Sequence, residues 1–405
     1  MDHYEIIRLG HQGDGIAAGP IFAPLTLPGE IVAGQVNGDQ LSDIKIVTPS
    51  DQRIAPICRH FKSCGGCQLM HANDDFVAQW KSDVIRHALT AHDIETEIRP
   101  CVTSPKQSRR RATFSARRTK KGAQIGFHAR ASDTIVEIPD CQLVDPRLMA
   151  AIPIIAELAQ IGASRKAELS AQTTISDNGL DIAMRGGKPI DGQLRIALGQ
   201  LCETRKLARL SWNGEVIAMR LPPTQQFGRA RVIPPEGSFL QATQQGEQDL
   251  VAHVQDIVGS AAKVVDLFSG CGTFSLPLAQ TAEVHAAEGN ADMIKALDRG
   301  WREAQGLKRV TSQARDLFRR PLLPDELNRF DAIVIDPPRA GAQAQIAEIA
   351  SSNVATIAYV SCNPVSFARD AAQLVQGGYH LEWITPVDQF RWSAHVELVA
   401  KFSQK

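Results

Sequence analysis

Missing from the 405 residues is any apolar run of about eighteen residues, the length a helix needs to cross a bilayer. The opening stretch, MDHYEIIRLG, also lacks the basic start and apolar core of an export signal. A cytoplasmic, membrane-free location is therefore expected. Its reducing conditions disfavour structural disulfides, which leaves the 8 cysteines as thiols or metal ligands. Internal repeats and low-complexity segments are absent, and nothing calls for an obligate protein partner. Net charge is lacking too, with 44 basic residues against 44 acidic ones, but the balance is local rather than uniform. From Lys106 to Lys121, KQSRRRATFSARRTKK holds eight basic residues and no acid. An apolar content of 43% in a chain of this length can bury two or three domain cores.

Short strand-like runs (YEIIRLG, IFAPLTL, EIVAGQV, IKIVTP) broken by Gly and Pro turns fill residues 1–50 and predict a small β-barrel. Residues 51–235 mix a cysteine cluster, a helix-like stretch from Phe76 to Leu89 and strands such as TTISDN, GLDIAMRG and EVIAMRL, an α+β pattern. In residues 236–405, after IPPEGSFLQAT, apolar strands alternate with helical segments, as in a parallel sheet with crossover helices. Strands are expected at KVVDLF, VHAAE, FDAIVID and TIAYVSC, with YHLEWITPV and HVELVAKFS closing the sheet.

VVDLFSGCGTFSLPLA joins a buried strand ending in Asp266 to a loop with Gly270 and Gly272 and then to a helix. Glycines let a backbone turn tightly against a ligand, and this first crevice lies at the carboxyl ends of the strands. About twenty residues on, AAEGN places Glu288 where a carboxylate can accept two ribose hydroxyls. The loop is similar to a dinucleotide fingerprint, and more similar to the S-adenosylmethionine loop of class I methyltransferases. Without a ligand it would be a tight turn beside a solvated acid. Cys271 is expected to fill space. Asp316, in QARDLF, would follow the third strand, either contacting the adenine side or capping a helix.

VIDPPRAG ends the fourth strand with Asp336, a stiff proline pair and Arg339. Amino-group methyltransferases usually carry an aromatic residue after such a pair, so arginine here points to a carbonyl or phosphate as the recognised group. The next strand brings Cys362 to the same crevice, in VSCNP, and the last carries Glu397, in HVELVAKF. A thiol and a carboxylate beside a methyl donor suit a carbon nucleophile. C5 of uracil is too unreactive to be alkylated unaided, whereas thiolate addition at C6 makes it enolate-like. A base then removes the C5 proton. The alternative for Cys362 is a buried structural thiol.

DLFSGCGTF, DPPRAG, SCNP and HVE, in this order, resemble the class I, S-adenosylmethionine-dependent RNA (uracil-5) methyltransferase family, over essentially the whole chain. The resemblance implies a Rossmann-like C-terminal domain, with Cys362 as nucleophile, Glu397 as general base and Asp336 orienting the uracil. It also implies cofactor contacts from Gln241, Phe268, Thr273, Glu288, Asp316 and Asp336. SFLQAT is similar to the family's F-x-Q-x-N signature, with Thr243 where asparagine is usual, and Thr273 also replaces a common asparagine. LGHQGDGIA and LPGE make the first fifty residues similar to a TRAM domain, an OB-like RNA-binding barrel.

Cys58, Cys64 and Cys67 are spaced C-x5-C-x2-C, and seventy-three residues separate them from Cys141. Four thiolates could hold zinc or an iron-sulfur cluster. A tight trio with a distant fourth favours a 4Fe-4S cluster, which the family resemblance also implies, on the branch that acts on 23S rRNA. Cys101 and Cys202 have no partner at suitable spacing and read as structural. The basic run (Arg109, Arg110, Arg111, Arg117, Arg118, Lys120, Lys121) is expected to form a hairpin facing RNA phosphates. Ribosomal RNA is the first expectation for the substrate and transfer RNA the second. A non-catalytic RNA-binding iron-sulfur protein and a redox protein on a nucleotide-binding fold are the alternatives from other classes.

Overall fold

The computed structural model describes residues 2–404. Strands β1 (Asp2–Leu9), β2 (Gly15–Ala17), β3 (Ile21–Ala23), β4 (Ile31–Asn37) and β5 (Gln40–Thr48) close a barrel in the order β1-β2-β3-β5-β4. Its interior is small, built on Ile6, Ala17, Ala23, Val32 and Leu41. The fully buried Glu30 ties the barrel to the next segment by accepting from Leu27 N–H at 2.8 Å and from the Arg53 guanidinium.

The expected helix spans Asp74–Thr90, with Asn73 Oδ1 capping Phe76 N–H. Its first half packs on the preceding segment, Val77 and Trp80 sharing a core with Leu69 and Ala72, and its second half faces the C-terminal layer. Ile85 and Leu89 of this helix, and Ile94 after it, pack in one core with Leu374, Tyr379 and Leu381 of the C-terminal layer. β6 (Glu97–Ile98) and β7 (Val102–Thr103) then pair with the edge of the C-terminal sheet. Residues 97–103 thus add to the C-terminal sheet, whose outer strand has an open edge that this segment covers.

The central layer is a seven-stranded sheet. Its strands are β8 (Arg111–Arg118), β9 (Ala123–His128), β10 (Ile135–Val136), β11 (Glu168–Ser176), β12 (Gly179–Arg185), β13 (Arg209–Trp212) and β14 (Glu215–Met219), in the order β10-β9-β8-β11-β12-β13-β14. Helices Ala151–Gly162 and Gly192–Thr204 contribute to its core with Phe114, Leu169, Ile182 and Trp212. A hairpin, β15 (Gln225–Phe227) and β16 (Ala230–Val232), follows and shares a small core with Leu240, Cys271 and Leu276.

The C-terminal sheet contains β17 (Lys263–Leu267), β18 (Glu283–Glu288), β19 (Val310–Ala314), β20 (Ala332–Ile335), β21 (Thr356–Ser361), β22 (Tyr379–Asp388) and β23 (Leu398–Gln404). Their order is β19-β18-β17-β20-β21-β23-β22, parallel from β19 to β21 and antiparallel through β23 and β22. Val264, Val265 and Leu267 in β17 and the whole of β20 are fully buried, which explains why these strands read as unbroken apolar runs. The strand order reverses between β17 and β20, so a crevice opens at their carboxyl ends.

Candidate active site

A cavity of about 480 Å³ occupies that crevice. Its walls include Gln241, Phe268, Gly270, Thr273, Glu288, Asp316, Asp336, Arg339, Cys362 and Glu397, so ten residues singled out from the sequence meet at one place. Gly272 is the exception. A Cβ there would come within 2.9 Å of Leu276, so Gly272 serves helix packing, whereas a Cβ on Gly270 would meet nothing. Phe268 and both glycines have left-handed backbones, with φ of 62°, 55° and 95°.

One end of the cavity is organised by Glu288. Its Oε2 accepts Gly270 N–H at 3.1 Å and its Oε1 accepts Asn290 N–H at 2.8 Å. The buried Ser269 Oγ, which also lines the cavity, has no hydrogen-bond partner in the structure. An orphaned hydroxyl beside an open glycine and an oriented carboxylate fits a nucleoside ligand. Asp316 lines the cavity, and its Oδ1 accepts Phe318 N–H at 3.0 Å in a turn rather than at the start of a helix. Phe318 and Phe239, both large and half exposed at the wall, were not singled out from the sequence. Isolated aromatic residues in loops carry no periodic signal. Thr243 caps the helix Gln244–Val258 through Gly246 N–H at 2.9 Å, a role that accounts for its hydroxyl without any ligand. Cys271, as expected, is a buried space-filler.

At the other end the side chains are chemical rather than structural. Asp336 follows β20, and burial together with the nearby Asp266 pushes its carboxyl up to about 8. Near neutrality it can therefore donate as well as accept. Cys362 follows β21, beside Asn363, whose Oδ1 caps the helix Pro364–Gln376. Asn363 Nδ2 and Ser366 Oγ both donate to Arg339 O, at 2.9 and 3.0 Å, which locks the proline loop against the cysteine loop. Burial pushes the Cys362 thiol up to about 11, with Glu397 and Asp336 adding to the rise and Arg339 opposing it. Glu397, 3% exposed, is held well above the usual carboxylate range by burial, then by Asp336 and Asp388, against the pull of Lys81.

Lys81 is a residue that sequence reasoning missed. It lies 1% exposed inside the helix Asp74–Thr90 and donates to Asp388 Oδ1 at 2.6 Å. Removing one member of a buried ion pair strands the other charge. Lys81→Met is expected to destabilise the fold by about 3 kcal/mol in a denaturant titration, and Asp388→Asn in the same chain should restore part of it.

Cys58, Cys64, Cys67 and Cys141 line a second cavity, walled by Phe61, Met70, Phe127, Ile138 and Leu143. Among the described residues no group of three or more His, Cys, Asp or Glu side chains stands in metal-ligating geometry. Burial, reinforced by the neighbouring thiols, raises Cys64, Cys67 and Cys141, and all four sulfur-bearing residues line one mostly apolar space. Cys202 is buried in the central core, as expected, and Cys101 is half-buried near Asp388.

The basic run forms the expected hairpin, β8 with β9, but its charges do not share one face. Lys120 and Lys121 are exposed at the tip. Arg117 pairs with Glu168 at 2.8 Å, and Arg118 donates to Ala163 O at 3.3 Å. One assignment to an RNA surface is corrected, that of Arg110, while Arg109 and Arg111 are only partly exposed. Arg110 is buried against Glu247, Arg109 stacks on Phe390 beside the cysteine cavity, and Arg111 lies 4.6 Å over Phe239. The reason is that this part of the run threads between two layers, where each guanidinium has a ring or carboxylate to meet.

The tRNA (Uracil-5-)-methyltransferase family profile matches residues 230–404. An uncharacterized RNA methyltransferase of Rhizobium meliloti is 44% identical, over 98% of this chain and 97% of its own. A 23S rRNA (uracil(1939)-C(5))-methyltransferase of Shewanella piezotolerans is 31% identical, over 98% of this chain and 94% of its own. Among solved structures, Pyrococcus abyssi tRNA (uracil-54, C5)-methyltransferase with S-adenosyl-L-homocysteine aligns with a TM-score of 0.77 and 23% identity, covering 99% of this chain and 100% of that one. That likeness is one of fold.

Proposed function

The chain belongs to the S-adenosylmethionine-dependent RNA (uracil-C5) methyltransferase family, and from that premise we propose that it methylates C5 of one uridine in 23S ribosomal RNA through a transient bond from Cys362 to C6. The observation that carries this reading is the meeting of Cys362, Glu397, Asp336 and Arg339 with the glycine loop and Glu288 in one cavity. The ribosomal substrate rests on the Shewanella piezotolerans relative.

The donor would be held by Gln241, Phe268, Gly270, Thr273, Glu288 and Asp316, and when bound it supplies an electrophilic methyl on a sulfonium. The Cys362 sulfur adds to C6 after its proton passes to the ionised form of Asp336, leaving Glu397 free for the later proton, and the electrons displaced from the C5–C6 double bond are taken up through C4 onto O4. Asp336 and Arg339 hold that oxygen and the ring edge. Once C5 carries the methyl, the Glu397 carboxylate takes the C5 proton, the double bond reforms and sulfur departs. The uridine must be extruded from its stack to reach this depth. Exposed Lys120 and Lys121, with Arg117 and Arg118 behind them, are the hairpin's contribution to the phosphate contacts.

Incubation of total RNA with tritiated methyl donor, followed by nucleoside analysis, tests the reading. Label is expected in 5-methyluridine from the large-subunit fraction. Label in the transfer RNA fraction would move the substrate, and label in any other nucleoside would sink the reaction.

The four cysteines fit a 4Fe-4S cluster in donor chemistry and in their apolar enclosure, and methyl transfer needs no electrons from it. Its role in this reading is to bind the segment around residue 60 to the loop at Cys141, beneath Arg109. Cys67→Ala is expected to lose bound iron and lower the midpoint of unfolding, with RNA affinity falling about tenfold. Unchanged stability and affinity would remove the structural role. No helix of the described residues is long and apolar enough to cross a membrane.

A further inference from the structure

The methyl-transfer scheme makes no use of Gln389, yet its side chain is 1% exposed and every polar hydrogen on it is spoken for. Its Oε1 accepts Ala242 N–H at 2.7 Å. Its Nε2 donates one hydrogen to Gln241 Oε1 at 2.5 Å and the other to Glu397 Oε2. One amide thus joins the wall that faces the donor to the carboxylate that faces the base. The turn that presents it is rigid. Gln389 N–H reaches Val387 O at 3.1 Å, and the adjacent Asp388 Oδ1 takes Phe390 N–H at 3.0 Å and the buried Lys81 ammonium.

We propose that Gln389 is a positioning residue for the final proton abstraction, holding Glu397 in its working orientation and coupling it to Gln241; the inference rests on the reading of Glu397 as the base. The physical argument is one of charge. Glu397 is faced by Asp336 beyond β20, Cys362 beyond β21 and Asp388 in β22, with Lys81 from the helix Asp74–Thr90 as the cation that pulls on it and Arg339 acting on Cys362 in the same cavity. Burial and two carboxylates favour its neutral form, which cannot accept a proton. An N–H aimed at Oε2 favours the ionised form and fixes which oxygen is turned away, toward the cavity. Without that donor the carboxyl binds its proton more tightly. Abstraction then slows at neutral pH and recovers as the pH rises.

The decisive experiment is a single turnover on RNA with the full-length protein, followed for the covalent protein–RNA species across pH. Gln389→Leu keeps the size and removes the hydrogen bonds. It is expected to accumulate the methylated adduct at pH 7, with resolution slowed about tenfold and its pH midpoint displaced upward by about one unit. Gln389→Asn keeps the amide but falls one methylene short, and should show the same displacement to a lesser degree; it carries both readouts if the leucine variant does not fold. Resolution at the wild-type rate across pH, or a uniform slowing with no accumulated adduct, would overturn the assignment. Glu397→Gln in the same assay separates this from its premise. If that variant resolves its adduct normally, the base reading itself falls. If it traps RNA while Gln389→Leu does not, only Gln389 is misassigned.

Discussion

Cys362→Ala should leave the protein able to bind its methyl donor and unable to use it, with 5-methyluridine formation falling on the order of 10⁴-fold or more. The magnitude follows from chemistry. C5 of an intact uracil has no carbanion character, so an enzyme without the sulfur keeps its binding energy and loses its reaction. Donor affinity is protected because Cys362 sits at the Asp336 and Glu397 end of the cavity, away from the Glu288 end, where Gly270 and Asn290 orient the ribose-side carboxylate. Calorimetry with S-adenosylmethionine should give a dissociation constant within about threefold of wild type. An alanine variant that still turns over would exclude the covalent route. The thiol, raised to about 11 by burial and the neighbouring carboxylates, should be unreactive toward alkylating reagents at neutral pH.

Glu397→Gln has the second large effect, and it is of the opposite kind. Addition and methylation need no base at that position, so the variant should run forward and stop. Turnover is expected to fall on the order of 10³-fold while an RNA–protein conjugate, resistant to denaturing electrophoresis, builds up to near one per enzyme. Glutamine fills the volume of glutamate but cannot accept the C5 proton as a carboxylate does. Because Gln389 donates to Glu397 Oε2, the amide that replaces it can turn its carbonyl to that donor, and the fold should be preserved. Mass spectrometry of the conjugate should find a methylated uridine attached through Cys362. Loss of turnover with no conjugate would remove Glu397 from the proton step.

Much of the catalytic centre was legible because its chemistry lies in short motifs. DLFSGCGTF, DPPRAG and SCNP sit at or just beyond the carboxyl ends of parallel strands that read as apolar runs, and HVE immediately precedes β23, whose antiparallel direction brings its start to the same edge. Gly270 and Gly272 show the limit. Both are glycines at positive φ, yet one opens the cavity and the other packs against Leu276, a difference set by neighbours that spacing does not reveal. Lys81, Gln389 and Phe239 were invisible for the same reason. Lys81 meets Asp388 across 307 residues, and Gln389 reaches across 148 residues to join Gln241 to Glu397. The basic run misled because charge density reports on desolvation cost only when no partner is near, and Arg110 has Glu247.

What the amino-acid order determined by itself was local: apolar runs that must be buried, glycines that must turn, and reactive side chains placed at strand ends. Which of those side chains share a cavity, which arginines face solvent, and that residues 97–103 add to the C-terminal sheet were decided by tertiary packing. The physical reason is that burial and partnership are properties of pairs. A lone lysine or glutamine has no fixed role until folding brings a carboxylate within hydrogen-bond reach and takes the water away.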